Sequence, residues 1–162
     1  MADPIDFLII KNMQAALQAI SKSAGYHHDI SAVAVKLDKR HNVEERIPEA
    51  NAPIGPPRPF IVLEVQTDDF EYHHSGQLLQ SMPFSVLFVD DTDAQDDDAR
   101  IKKHLTACAD IETALTIDHQ RGGKAIDTRL LGRELSDDDS STVRTIVSGE
   151  VRLHRTYGAP NG

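Results

Sequence analysis

Cysteine and tryptophan are almost missing from this chain: Cys108 is the single cysteine, tryptophan is absent, and aromatic residues fill only 5% of 162 positions. One thiol excludes an internal disulfide and any zinc site built from several cysteines. Scarce aromatics leave little from which to build the apolar cleft that would raise a carboxyl pKa for acid catalysis, although Asp and Glu are plentiful. No stretch approaches the roughly 20 consecutive apolar residues of a membrane span. The start Met1-Ala2-Asp3-Pro4 is acidic, unlike the basic opening of a secretory signal. These absences lead to the expectation of a soluble chain that stays in the cytoplasm that made it.

Signatures of chemistry are missing too. No Gly-x-Ser-x-Gly elbow occurs, and Arg121-Gly122-Gly123-Lys124 precedes a strand pattern where a phosphate loop must open a helix. Asp91-Thr92-Asp93 begins like a calcium-binding loop, but the sixth position is Asp96 instead of Gly and the twelfth is Lys102 instead of Glu. His104 and Cys108 lie one helical turn apart, yet two ligands fall short of the three or four a zinc ion needs. The pairs His27-His28 and His73-His74 are read as unable to chelate one ion, because neighbours on an extended chain point to opposite sides. The expectation is no catalytic, cofactor-binding or metal-binding residue.

What is present is a length and an apolar content, 40%, that suit a single domain with its own core. Charge is lopsided: residues 1–99 carry 17 acids and 7 bases, residues 100–162 carry 9 acids and 10 bases. The densest basic cluster, Arg100 with Lys102 and Lys103, follows six aspartates between Asp90 and Asp98. Nucleic-acid binding by a monomer is disfavoured on that ground, because it needs clustered cations free to displace counterions.

Hydrophobic spacing gives the elements. Ile5, Leu8, Ile9, Met13, Ala16, Leu17 and Ile20 recur at helical steps over 3–24, with Asp3 as the expected cap, Pro4 at the first helical position and Gly25 closing the end. Strands are expected over 30–37, 60–65, 82–89, 125–131 and 142–156, with a bulge near Gly149 or between Val143 and Ile146. A second helix follows the aspartate run, whose acids suit the positive end of the helix dipole. Five prolines between residues 39 and 59 predict an extended arm or loop, the polar segment 66–81 a hairpin or loop, and 158–162 a flexible tail. The fold class expected is α+β: one domain over 1–162, two layers, a mainly antiparallel sheet with two helices on one face.

Taken in order, several features resemble the tail terminator or tail completion family of tailed bacteriophages, the minor tail protein U-like proteins. They are the opening helix with Ile9, Leu17 and Ile20, the Ala24-Gly25-Tyr26 turn into Val33-Ala34-Val35, and the Pro-rich arm. The likeness continues through the strand 84–89, the acidic helix start 96–100, Gly122-Gly123-Lys124-Ala125, and the final run Arg152-Leu153-His154-Arg155-Thr156-Tyr157. The resemblance implies a structural virion protein with no catalytic activity. Copies would form a ring, commonly of six, at the head-proximal end of the tail, ending tube polymerisation and joining tail to neck. Its partners would be itself, the tail tube protein and neck or connector proteins. Genomic DNA would pass through without sequence-specific binding, and the chain would wait in the host cytoplasm before assembly into the virion.

Ring closure requires two unlike, complementary surfaces on each subunit. Asp90, Asp91 and Asp93 on one side, and Arg121, Lys124, Arg129, Arg152 and Arg155 on the other, are the residues expected to meet there. The alternatives are another head–tail connector subunit, a generic adaptor with an extended arm, and a small cytosolic metal-dependent hydrolase using His104 or the acidic loop.

Overall fold

A computed structural model describes residues 3–37, 57–66, 69–72, 77–92, 96–136 and 141–156. Most of the expected arm and the whole of the expected tail lie outside these residues, as does Asp93.

Helix α1 spans Ile5–Gln18 and buries Ile9, Ile10, Met13 and Leu17. Its start differs from expectation: Pro4 occupies the cap position, and no side chain caps the free N–H groups. Pro4 still contributes its carbonyl, which accepts from Leu8 N at 3.1 Å. A short 3-10 turn over Lys22–Ala24 follows, and Gly25 at φ 93° closes that turn rather than α1. The strands are β1 (Ala32–Leu37), β2 (Phe60–Val65), β3 (Asp69–Tyr72), β4 (Gln77–Asp91), β5 (Asp127–Ser136) and β6 (Thr142–Thr156), with α2 (Asp97–Thr116) between β4 and β5. Asp96 caps α2, its carboxylate accepting from Ala99 N at 2.9 Å, which gives one member of the aspartate run a local role.

The sheet runs β1-β2-β4-β6-β5, with β3 pairing β4 on the side β2 occupies further along. All pairings are antiparallel except β1 with β2, which is parallel. That exception leaves the sheet mainly antiparallel, as expected. Parallel strands need a crossover of a dozen or more residues, and the long stretch between Leu37 and Phe60 is sufficient. The domain is therefore α+β with a mostly antiparallel sheet.

Within 66–81, Asp69–Tyr72 pairs antiparallel with the start of β4, and β4 is far longer than the apolar run that announced it. Pro83 explains where the partner strand breaks. Its carbonyl accepts from Gln66 N at 2.9 Å, so the missing N–H points to the same side, at the gap between Val65 and Asp69.

Alternation along β4 and β6 sorts the two faces. Met82, Phe84, Val86, Phe88, Val147, Val151 and Leu153 join both helices in the main core, with α1 over β1 and β2 and α2 over β5 and β6. Phe60, Val62, Leu87 and Val89 form a smaller apolar cluster on the opposite face, with Ile146 against it. The bulge falls in β5, where the register shifts between Leu130 and Gly132 opposite Gly149 and Ser148. Gly149 is there for a different reason: a Cβ on it would run into the Arg129 carbonyl oxygen and stand 2.6 Å from Phe84 Cζ.

Candidate functional site

The antiparallel register of β4 and β6 places the charged residues singled out by the sequence. Asp91 lies opposite Thr142 at one end of the pair, and Arg152 lies opposite Ser81, ten residues back along β4. At about 3.3 Å per residue the two ends are roughly 30 Å apart. Acidic and basic members therefore occupy opposite ends of one sheet.

Each end is partly neutralised in place. Asp90 faces the helices and sits 2.9 Å from Lys103 Nζ, which also donates to the Asp91 carbonyl at 2.5 Å. The Asp91 carboxylate, 72% exposed, pairs with Arg58, whose Nη1 also donates to Thr142 Oγ1 at 3.3 Å. At the far end Arg129 Nε donates to Asp127 Oδ2 at 3.1 Å. That bond, aided by the Thr128 N–H and the nearby Arg129 and His119, holds the Asp127 carboxyl below the usual range against the opposing pull of desolvation. Glu150, across from Arg129, accepts from Ser81 Oγ at 2.9 Å. Arg152 is half-buried and stands across from Asp127. Lys124 is exposed in the turn before β5. Arg155 pairs with Leu78 along the backbone; its side chain is outside the described set.

Arg121 does not belong with these surface cations: it is fully buried. Its backbone is left-handed at φ 50°, followed by Gly122 at 68° and Gly123 at 78°, so this turn folds the side chain back under itself. Nη1 donates to Asn12 Oδ1 at 3.2 Å in α1, Nε to Thr128 Oγ1 at 3.2 Å in β5, and Nη2 to the Leu115 carbonyl of α2. The guanidinium thus satisfies an orphan carbonyl of the last turn of α2 and ties three elements together. Burial lowers its pKa, opposed by Asp118, but an arginine remains charged.

A tighter cluster escaped the sequence reading. Asp110, 4% exposed on the inner face of α2, receives the segment that leads from the 3-10 turn to β1. His27 donates its backbone N–H at 3.0 Å and approaches through Nδ1 at 2.8 Å. His28 does the same at 3.0 and 2.9 Å. The segment turns instead of running extended, so adjacent rings reach one carboxylate, contrary to the expectation that they diverge. Burial pushes the Asp110 carboxyl up; the His27 N–H and both imidazoles outweigh it, leaving the pKa below the ordinary value. The His28 ring also meets Phe88 edge-on at 5.0 Å. Beside this cluster lies a cleft of about 170 Å³ lined by Gly25, Tyr26, His27, Asp110, Thr113 and Ile117, below the size of an ordinary small-molecule pocket. Both Nδ1 atoms engage the carboxylate, which makes the arrangement a latch between the first connection and α2.

His104 and Cys108 share a helix face as expected. The imidazole Nδ1 is 2.9 Å from Thr145 Oγ1, and Cys108 Sγ lies 3.9 Å from Nε2. Burial, aided by Arg133, lowers the His104 pKa, and burial raises that of the Cys108 thiol. Among the described residues no group of three His, Cys, Asp or Glu side chains is arranged to hold a metal ion, and no helix is long and apolar enough to cross a membrane.

The class these observations define is a two-layer α+β domain with β1 and β5 as its outer strands. Comparison with models of known protein families and with curated proteins gives no match.

Proposed function

We propose that the chain is a structural ring subunit of a phage tail, acting at the head-proximal end to stop tube polymerisation and to join tail to neck. The observation that carries this reading is the separation of opposite charges along β4 and β6. Arg129 and Arg152 stand roughly 30 Å from Asp90 and Asp91, too far to meet within one subunit. They are well placed to meet on neighbouring copies through a head-to-tail contact, which closes by rotation. The two outer strands support it as well: Leu37 on β1 is 63% exposed and Leu131 at the β5 bulge is 67% exposed. Unlike edges suit heterologous contact. The sequence resemblance supplies the setting, and the burial of Arg121 removes one residue from the proposed contact without altering its polarity.

Electron microscopy of the purified chain, alone and with polymerising tail tubes, tests the reading. Closed rings and tubes of fixed length are expected, and Arg129→Glu with Arg152→Glu should abolish both. A labelled subunit that appears in intact particles away from the upper end of the tail would refute the role.

A further inference from the structure

The outer strands β1 and β5 have no strand on their far sides among the described residues. Each carries one large apolar side chain exposed to water, Leu37 at the end of β1 and Leu131 in β5. Register across the sheet fixes their heights along the strands. Leu37 stands across from Val65, Val65 from Phe84, Phe84 from Gly149, and Gly149 from Leu130. Leu131 is the extra residue of the bulge that follows Leu130. The two leucines therefore sit at one level, on opposite edges of the same sheet.

Unpaired charge follows the same level. Lys36 is the only ionic residue of β1; it is exposed and has no ion pair among the described residues. Strand β5 holds four ionic residues. Asp127 pairs with Arg129, and Arg133 with Glu112 of α2 at 3.1 Å. That leaves Glu134, exposed and without an ion pair. Through Glu64, Ser85 and Ser148, Lys36 is level with Gly132, two residues or about 7 Å from Glu134 along the strand. Long side chains bridge that diagonal between neighbouring strands. Both residues also belong to the face away from the helices. Lys36 alternates with Val33 and Val35 of the main core, and Glu134 stands across from Ile146 of the opposite cluster.

We propose that copies of this chain join side by side, β5 of one against β1 of the next, with Leu131 on Leu37 and Glu134 paired with Lys36. Because both contacts fall at one level, neighbours need no displacement along the strands. A contact that repeats by rotation without such a rise closes into a ring. The bulge in β5 discourages indiscriminate strand addition, so side chains select the neighbour. Burying the two leucines supplies affinity, and the ion pair sets polarity. The inference rests on the ring reading and deepens it by stating how the outer strands meet. The strand ends remain available for the contact along the strands.

A charge exchange tests it. Lys36→Glu alone and Glu134→Lys alone each set like charges against one another and should weaken self-association by roughly tenfold, read by sedimentation velocity. Mixing the two preparations should restore it, as should both substitutions in one chain. Leu131→Asp places a charge against Leu37 and should weaken association at least as much. Melting temperatures should match the wild type, since all three side chains are exposed. A fall of several degrees for Glu134→Lys would show that this carboxylate serves Arg144, diagonal to it on the same face, and would overturn the pairing. Mixtures that stay dissociated would overturn the contact, as would a wild-type chain that stays monomeric at high concentration with and without tail tubes. Electron microscopy separates this contact from the ring itself. Restored association as open chains would keep the contact and retire the ring, whereas closed rings of Lys36→Glu alone and of Leu131→Asp alone would do the reverse.

Discussion

Replacing Asp110 by alanine tests the latch between the first connection and α2. The carboxylate is 4% exposed and takes two backbone N–H groups and two imidazoles. Hydrogen bonds to a charged acceptor are worth about 1.5–3 kcal/mol each, and a buried donor left alone costs about 1–3 kcal/mol. His27 is 57% exposed, so water can replace part of its share; His28 at 12% has less access. The net loss expected is about 3–4 kcal/mol, set mainly by His28 and the two N–H groups. For a chain of this length that lowers the melting temperature by roughly 6–16 °C. The pH dependence gives an independent check. The folded Asp110 pKa lies below the ordinary value of 3.8, so its contribution is complete above that value and is lost as pH falls through the folded pKa. Wild type and Asp110→Ala should therefore differ most near neutrality and converge in strong acid. Calorimetry at pH 7 and across the acid limb measures both. A loss under about 1 kcal/mol at pH 7, or a gap that widens on acidification, would refute the reasoning.

Three further outcomes follow from packing and burial. Gly149→Ala should destabilise by about 1–3 kcal/mol, read by urea unfolding, because the added methyl meets the Arg129 carbonyl oxygen and the Phe84 ring. Arg121→Met should cost about 3–5 kcal/mol, read the same way, since it removes at once the donors to Thr128 Oγ1, Asn12 Oδ1 and the Leu115 carbonyl. Cys108 is fully buried with its thiol pKa raised. A thiol reagent at pH 7 should thus label it only after denaturant is added.

Elements whose signal is local were legible in the sequence. The branched run 60–65 and the segment 142–156 match β2 and β6 residue for residue, because burial on one or both faces dictates their composition. The second helix was marked by its aspartates, and Asp96 does cap it. Features that depend on distant partners were not legible. The parallel pairing of β1 with β2 joins strands far apart in sequence, and the bulge falls in β5, opposite Gly149, rather than in β6. Pro83 falls inside the strand expected over 82–89, and inside β4. It is tolerated because the neighbour is itself interrupted there.

The candidate residues divide along the same line. A list of arginines and aspartates predicts sign but not solvent access, and access separates Arg121 from Arg129. Arg121 follows an exposed helix end in sequence, yet its left-handed backbone turns the side chain into the core. His27 and His28 were dismissed by a rule for extended chain, and the rule failed once the segment turned toward Asp110. Asp110 itself carried a usable signal: an acid amid the apolar face of Cys108, Ile111, Ala114 and Leu115. A carboxylate in that position demands donors from another element, and the adjacent histidines were the unassigned donors in the chain. Arg144 poses the same demand with the opposite sign, and among the described residues its Nε has no hydrogen-bond partner.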